Sequence, residues 1–420
     1  MKNWQEHRFG DLVQFPPRVA LRKGEEYPFI EMDAVDSNSR YVESPQRKKY
    51  ESSSFAKFAN GDVLLARITP CLENGKIAQV RIAADEGGFG STEFFVFRAK
   101  GELQDQSFLF YLTKCDLIWK SAVNSMVGAS GRQRADATFL KKLWIKIPKP
   151  PIQRKIAAVL SAYDELIDNN KRRIALLEKL TEEIYREWFV RLRFPGHEKV
   201  KVIKGVPNDW EVRTLGSFAS EIKRGVKKRD LADDEKYVGL EHIPRRSIAL
   251  KDWATGDTVD SNKLLFQDRD ILFSKIRPYL HKVALAHFSG ACSSDTIVIR
   301  PKEKLYEGYL MFTVFSDTFI ELATVASKGT KMPRADWGFL RKLELAVPNK
   351  KLLELYQVQF DSVFAQIVNL LRANELLTNC RDRFLPRLIS GKLSVENLDI
   401  QFPPGMAKEL NAGPSTTAHA

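Results

Sequence analysis

The chain has 420 residues, enough for two or three domains that each bury a core. Apolar residues make up 44% and charged residues 28%, a globular composition that excludes fibrous and disordered classes. The 66 Lys and Arg residues outnumber the 53 Asp and Glu residues, and the resulting net charge of +13 suggests a polyanionic partner. No apolar run is long enough to span a membrane and no signal-peptide pattern opens the chain, so we expect a cytoplasmic protein.

The first segment, residues 1–150, mixes short β-branched and aromatic runs with turns that contain Gly or Pro. This alternation predicts an α+β globule. Residues 151–192 follow a Pro-rich entry and repeat apolar residues every three or four positions from Ile156 to Trp188. That spacing is typical of a long helix with a coiled-coil seam, which at 1.5 Å per residue spans about 50 Å.

Residues 193–348 repeat the first segment after a short linker. Both copies contain an Arg-Ala-Asp sequence, at Arg134 and at Arg334, followed by Phe-Leu-x-Lys-Leu and then Pro148 or Pro348. Further matches precede it in the same order, such as the runs ending at Pro70 and at Pro278. The sequence therefore predicts two related globules that differ in the lengths of their loops.

Residues 349–393 predict a second long helix, with the same apolar spacing from Tyr356 to Leu388, and residues 394–420 predict a disordered C-terminal tail. Antiparallel pairing of the two helices places Asn170 opposite Asn374, where two amides can satisfy each other and fix the register. The alternative is that each Asn lies at the edge of the seam and binds water. The predicted fold is thus two pseudo-repeated α/β globules separated by two long helices that form an antiparallel coiled coil.

Catalytic signatures are missing from the chain. It has no P-loop, no complete dinucleotide fingerprint and no Asn- or Asp-Pro-Pro-aromatic loop of the kind that grips a flipped adenine. The four cysteines and six histidines lack metal-ligand spacing, so we predict no metal site and no catalytic residues. Two repeated globules and two long helices without recognisable catalytic residues are typical of a binding protein.

Several motifs in and after the helices carry a family resemblance. The segments are Ile167–Glu178, Ile184–Arg191 (Ile-Tyr-Arg-Glu-Trp-Phe-Val-Arg), Arg193–His197 and Leu385–Leu393. With them the chain closely resembles the specificity subunits of type I restriction-modification systems, over nearly its whole length. That resemblance implies a non-catalytic subunit that reads a two-part, asymmetric site in double-stranded DNA, one half per globule. It also implies two methylation subunits that methylate adenine N6 with S-adenosylmethionine and restriction subunits that use ATP and Mg, while this chain binds no cofactor and no membrane.

Basic residues on turns that recur in both copies are the predicted DNA contacts, because Arg can pair bidentately with guanine and Gln with adenine. The candidates are Arg132, Gln133, Arg134, Lys328, Lys331 and Arg334 on the turn before each Phe-Leu element, then Arg67, Lys76, Lys275, Arg277 and Lys282 beside the two prolines. The basic run, residues 223–229, adds Lys223, Arg224, Lys227 and Lys228 as predicted phosphate contacts, with a solvated surface as the alternative. For Arg134 and Arg334 the alternative is a structural ion pair with Asp136 or Asp336 that caps the next helix.

Two other functions stay open at this point. The chain could be a DNA-acting enzyme in its own right, a nuclease or a methyltransferase with degenerate motifs, which would turn over DNA alone with a metal or a methyl donor. It could also be a coiled-coil scaffold that binds only protein, although this leaves the two globules and the basic charge without a role.

Overall fold

The computed structural model describes residues 3–44, 46–129, 131–327 and 332–403. The chain divides into two compact units, a first unit of residues 1–169 with 374–420 and a second unit of residues 170–373. Each unit combines one mixed α/β globule with parts of two long helices. This mixed, two-domain architecture confirms the coarse fold prediction.

The first unit contains eleven strands among its described residues. They are β1 (Trp4–Arg8), β2 (Val13–Gln14), β3 (Glu26–Ile30), β4 (Tyr41–Glu43), β5 (Gln46–Lys49), β6 (Ala56–Ala59), β7 (Val63–Ala66), β8 (Ile77–Arg81), β9 (Gly87–Gly90), β10 (Phe94–Ala99) and β11 (Trp144–Pro148). Its helices are α1 (Phe9–Leu12), α2 (Gln106–Lys114), α3 (Asp116–Asn124), α4 (Ala137–Lys142) and the start of α5 (Pro150–Tyr185).

Two larger sheets form the globule of the first unit. One has the order β2-β10-β7-β8-β4 and the other β5-β3-β9-β6, while β1 pairs separately with β11. Strand β7 is buried at every residue, as its uninterrupted apolar sequence requires for a central strand. The side chain of Asp105 caps α2 by accepting a 2.7 Å hydrogen bond from the backbone N–H of Phe108.

The second unit continues the numbering in chain order. Its strands are β12 (Val202–Ile203), β13 (Val206–Pro207), β14 (Glu211–Thr214), β15 (Ala219–Glu221), β16 (Gly225–Val226), β17 (Lys236–Val238), β18 (Ala254–Thr255), β19 (Lys263–Phe266), β20 (Ile271–Ser274), β21 (Val283–Leu285), β22 (Gly290–Cys292), β23 (Thr296–Pro301) and β24 (Glu344–Val347). Its helices are α6 (Leu215–Phe218), α7 (Glu307–Phe315), α8 (Asp317–Val325), α9 (Trp337–Leu340) and most of α10 (Lys350–Ile389).

The sheets of the second unit repeat those of the first. The order β15-β23-β20-β21 corresponds to β2-β10-β7-β8, and the order β19-β22-β17-β18 corresponds to β6-β9-β3-β5. The parallel pairing of β3 with β9 recurs between β17 and β22. Strand β16 is an addition, because it pairs with the edge of β19 and lengthens the second sheet to five strands.

A buried ion pair occurs at the same place in both units. Arg98 forms a bidentate pair with Asp62, and Arg300 forms the same pair with Asp270, at 2.6 to 2.8 Å. Both carboxylates are almost fully buried and each also accepts a backbone N–H, so their charge is compensated in the apolar interior. The internal repeat predicted from the sequence is therefore confirmed down to equivalent side-chain pairs.

The two long helices contribute to both units. Within the first unit, Tyr163 of α5 lies with its ring centroid 6.0 Å from that of Phe384 of α10. Within the second unit, Ile174 packs in one apolar cluster with Ile367 and Leu370. Helix α5 ends at Tyr185 and passes into a π-helical segment over Arg186–Val190, so regular α-helix stops before the predicted boundary at 192.

Residues 394–398 differ from the disordered tail predicted for 394–420. Val395 is only 3% exposed in the core of the first unit. The ammonium of Lys155 donates 2.7 Å hydrogen bonds to the carbonyls of Glu396 and Leu398. An apolar side chain in the core and two charge-assisted hydrogen bonds fix this stretch, which composition alone had indicated to be loose.

Candidate nucleic-acid interface

Arg134 anchors the first predicted reading turn to the sheet. Its guanidinium contacts both carboxylate oxygens of Glu93, with an Nη2–Oε1 distance of 2.6 Å, and this charge lowers the pKa of Glu93. Its backbone pairs with Val127 in both directions. Arg134 is thus largely occupied in supporting the turn.

Arg334 occupies the same place in the second unit, with an exposed side chain and a single, longer ion-pair contact among the described residues. Its Nε lies 3.4 Å from Oδ1 of Asp295, the residue equivalent to Glu93 in the repeat. The backbone N–H of Ala335 donates to the carbonyl of Lys275 at 2.9 Å, as that of Ala135 does to the carbonyl of Arg67 at 2.8 Å. We name this duplicated arrangement the node: Arg134 with Glu93 in the first unit, and Arg334 with Asp295 in the second.

The node corrects the alternative considered for Arg134 and Arg334. Both are paired, but Asp136 and Asp336 are not their partners. Each aspartate instead caps the next helix, by accepting the backbone N–H of Thr138 at 2.7 Å or of Gly338 at 3.0 Å. The acidic partner comes from a distant strand end, which spacing along the chain cannot reveal.

Arg132 and Gln133 differ from their neighbour Arg134. Arg132 is exposed and has no ion pair among the described residues. The backbone of Gln133 is held on both sides by Thr69, at 3.1 and 3.2 Å, which leaves its half-exposed side chain at the surface of the turn. These two side chains are therefore presented on a fixed backbone. Lys328 and Lys331 lie outside the described residues.

Arg67 and Lys76 are partly committed to the first unit. Arg67 lies 3.7 Å from Glu93 and 5.1 Å above the ring of Phe95. Lys76 donates a 2.8 Å hydrogen bond to the carbonyl of Met32. Their charges stand near the node, but each side chain also has a structural contact.

Lys275, Arg277 and Lys282 occupy the corresponding places in the second unit. Lys282 donates to the carbonyl of Leu240, just as Lys76 does to Met32, and burial together with the nearby Arg245 lowers its pKa. Lys275 is half-buried, whereas Arg277 is exposed. Of the three, Arg277 is the one best placed to meet a ligand.

The basic run lies along an edge strand. Strand β16 lies within it, and Lys223, Arg224, Lys227 and Lys228 are all exposed. Lys223 forms an ion pair with Glu221 at 2.9 Å, so its charge is partly neutralised. The remaining cations follow the free edge of the five-stranded sheet.

The family comparison gives this basic geometry its context. The family model for the type I restriction modification DNA specificity domain matches residues 1–179 and again residues 207–372. The chain belongs to this family. The two matches fall on the two copies of the repeat, and the prediction of a specificity subunit is confirmed.

Relatives of known type share this organisation over almost their whole length. The MjaIX and MjaVIII type I restriction enzyme specificity subunits of Methanocaldococcus jannaschii are 25% and 21% identical to the chain, with 94% and 95% of the chain and 95% of each relative covered. The crystal structure of the type I restriction-modification system S subunit from M. genitalium covers 92% of the chain and 96% of its own, at 15% identity and a TM-score of 0.50. As a specificity subunit, the chain is a non-catalytic, DNA-recognising part of a multisubunit complex.

One basic edge of this specificity subunit was missed from the sequence. Strand β5 carries Arg47, Lys48 and Lys49 on the edge of the four-stranded sheet. Lys48 pairs with Glu31 at 2.7 Å and lowers its pKa, whereas Lys49 is exposed without an ion pair to any described residue. The Gln-Arg-Lys-Lys sequence was the available signal, and it lacked a counterpart in the repeat.

The described part of the chain contains neither a cluster of metal ligands nor a membrane-spanning helix. No group of three or more His, Cys, Asp or Glu side chains there could hold a metal ion. None of the described helices is long and apolar enough to cross a membrane.

Proposed function

We propose that this specificity subunit reads a two-part asymmetric DNA site, one half through residues 1–150 and the other through residues 193–348. The duplicated node carries the proposal, since it lies at the same place in each unit and supports a turn that carries the exposed Arg132 in the first unit and the exposed Arg334 in the second. Base reading needs side chains that project from a rigid support into a groove, while other cations hold the phosphates.

The long helices act as the spacer in this proposal. Helices α5 and α10 contain 36 and 40 residues, or about 54 and 60 Å at 1.5 Å per residue. Half-sites one DNA turn apart are separated by about 34 Å, so rods of this length suffice to hold two readers in phase. We propose that the helices pair as an antiparallel coiled coil with Asn170 opposite Asn374 as its register. Side-chain contacts within each unit run in the opposite order along the two helices, which supports this pairing.

Partner subunits supply the chemistry in this proposal. Two methylation subunits use S-adenosylmethionine to methylate adenine N6, and restriction subunits use ATP and Mg to translocate and cleave. The specificity subunit binds none of these cofactors and determines where its partners act.

The decisive experiment is a methylation profile. The chain is co-expressed with its methylation subunit, a random DNA library is methylated, and the positions of modified adenines are compared with a control that lacks this chain. We expect a split motif only when the chain is present, and the loss of one half when residues 1–150 are exchanged for those of a relative. A modification pattern indifferent to this chain would contradict the proposal.

A further inference from the structure

One turn differs between the two copies of the recognition globule. In the first unit, Lys76 follows Pro70 by six positions, and the left-handed backbone falls on Gly75, with a φ of 66°. In the second unit, Lys282 follows Pro278 by only four positions. Within this span the left-handed backbone falls on a non-glycine residue, His281, with a φ of 52°, and Arg277 just before Pro278 is left-handed as well, with a φ of 49°. Such residues rarely adopt it unless the surroundings enforce it.

Backbone hydrogen bonds hold this shortened turn from both sides. The N–H of Arg277 donates to the carbonyl of Pro333 at 2.9 Å, and the N–H of His281 donates back to Pro278 at 2.8 Å. The carbonyl of His281 accepts the N–H of Arg246 at 2.9 Å, and Arg246 is itself left-handed with a φ of 51°. The turn is therefore fixed to two other loops of the same unit.

The side chain of His281 anchors the turn by packing in the interior of the second unit. It is 3% exposed, and its ring centroid lies 4.6 Å from that of Phe315. Neither ring nitrogen forms a hydrogen bond with a described residue, although Nδ1 lies 3.5 Å from Oδ1 of Asp317. Burial lowers the pKa of His281, so the ring remains neutral and packs as an apolar group.

The turn presents Tyr279 to solvent. Its side chain is 53% exposed, whereas Pro278 beside it is buried. Basic residues flank it along the chain: Arg277 lies two positions before it, and Lys282, three positions after it, pairs through its backbone with Arg245. The equivalent residue of the first unit is Cys71, which is half-buried. The same support thus displays an aromatic side chain in one unit and a small thiol in the other.

We propose that Tyr279 contacts base edges and determines part of the sequence read by the second recognition globule. This inference rests on the proposed function. A tyrosine has few rotatable bonds, a ring that can pack on a thymine methyl group and a hydroxyl that can bond a base edge. The flanking cations favour DNA over a protein partner, because protein–DNA interfaces are much more positively charged than protein–protein interfaces.

The test uses the assembled methylation complex and the random-library profile. Tyr279→Ala and Tyr279→Phe are compared with the wild-type chain and with Val212→Ala, a matched exposed residue in the same unit at 59% exposure. For Tyr279→Ala we expect roughly a tenfold or greater loss of preference at one or more bases of one half-site, with the other half unchanged. Val212→Ala is expected to keep the whole motif. Tyr279→Phe then shows which part of the side chain contacts the base. A kept base preference assigns the contact to the ring, and a lost preference assigns it to the hydroxyl.

Three outcomes would overturn the assignment of Tyr279. An unchanged split motif for Tyr279→Ala would show that the side chain reads no base, and so would a uniform loss of methylation at every site. Loss of complex assembly in gel filtration, at an unchanged melting temperature, would instead identify Tyr279 as a protein contact. Failure of the proposed function would be visible earlier, since the wild-type chain would then direct no split motif at all.

Discussion

A buried ion pair between the two long helices gives the sharpest prediction for stability. Within the first unit, Nη1 of Arg381 on α10 donates to Oδ1 of Asp164 on α5 at 2.6 Å, and both side chains are only 3% exposed. The hydroxyl of Tyr111 donates to the other oxygen of Asp164. The carboxylate of Asp382 binds the outer side of the guanidinium at 2.8 Å and is half-exposed.

Arg381→Met leaves a buried carboxylate with the Tyr111 hydroxyl as its one remaining partner in this group. Removal of one member of a buried pair costs about 3 to 5 kcal/mol, which is a large part of the 5 to 15 kcal/mol that typically stabilises a domain. Adding Asp164→Leu removes the stranded charge and recovers most of that loss. The Tyr111 hydroxyl then lacks its acceptor, at a cost of about 1 to 3 kcal/mol, and Tyr111→Phe removes this remaining penalty.

Urea unfolding of the full chain, followed by tryptophan fluorescence, measures these differences. Three of the seven tryptophans lie in the first unit, among them Trp119, whose indole donates to the carbonyl of Leu72, so part of the fluorescence change reports on the unit that contains the ion pair. The single, double and triple variants form a mutant cycle whose coupling energy isolates the pair. A loss below about 1 kcal/mol for Arg381→Met, or strictly additive losses in the double variant, would refute the assignment of a desolvated pair.

Three further predictions concern charge. Burial lowers the pKa of His287 from 6.5 to about 4. As the pH falls from 6.5 towards 4, the unfolded chain therefore binds a proton that the folded chain does not, and the free energy of unfolding should decrease. The urea midpoint should fall less over this pH range for His287→Phe than for the wild-type chain. Replacing the four predicted phosphate contacts of the basic run by Gln should reduce the salt slope of DNA binding by about 2 to 3, since Lys223 is already paired with Glu221, and an unchanged slope would favour a merely solvated run. Arg132→Ala should weaken DNA binding at an unchanged melting temperature. Arg134→Ala should lower the melting temperature, because it removes the bidentate partner of Glu93 and leaves that carboxylate only the longer 3.7 Å contact with Arg67; equal melting temperatures would contradict the node.

The sequence predicts those features that repeat or are periodic. Two copies of one motif and two stretches of helical spacing were enough for the order of globules and helices. The partner of Arg134 was not predictable in this way, because Glu93 lies 41 positions earlier and meets it only after the sheet has formed. Asp164 was missed for a similar reason, since a buried carboxylate has no local pattern that distinguishes it from a solvated one.

The candidate site was only partly predictable for the same physical reason. The basic character of the turns is visible in the sequence, but the difference between Arg132 and Arg134 depends on which side chain finds a carboxylate. The left-handed residues of the turn after Pro278 have no sequence signal either, because glycine is the usual indicator of this conformation. Here His281 adopts it, and its buried side chain holds it there.

The two units have equivalent cores, but their exposed cations lie at different places. Strand β5 adds cations beside β3, whereas the basic run follows β16 beside β19, and β19 corresponds to β6 at the opposite edge of the sheet. Equivalent folds thus place exposed cations along two different sheet edges, and we propose that these edges bind phosphates. The turns beside the node can also diverge, because the hydrogen bonds that position each of them are made largely by main-chain atoms. The side chains of such a turn, and even its length, can then change while the main-chain hydrogen bonds that hold it remain. The turn after Pro278 is an example, because it is two residues shorter than the turn after Pro70 and carries Tyr279 where the first unit has Cys71.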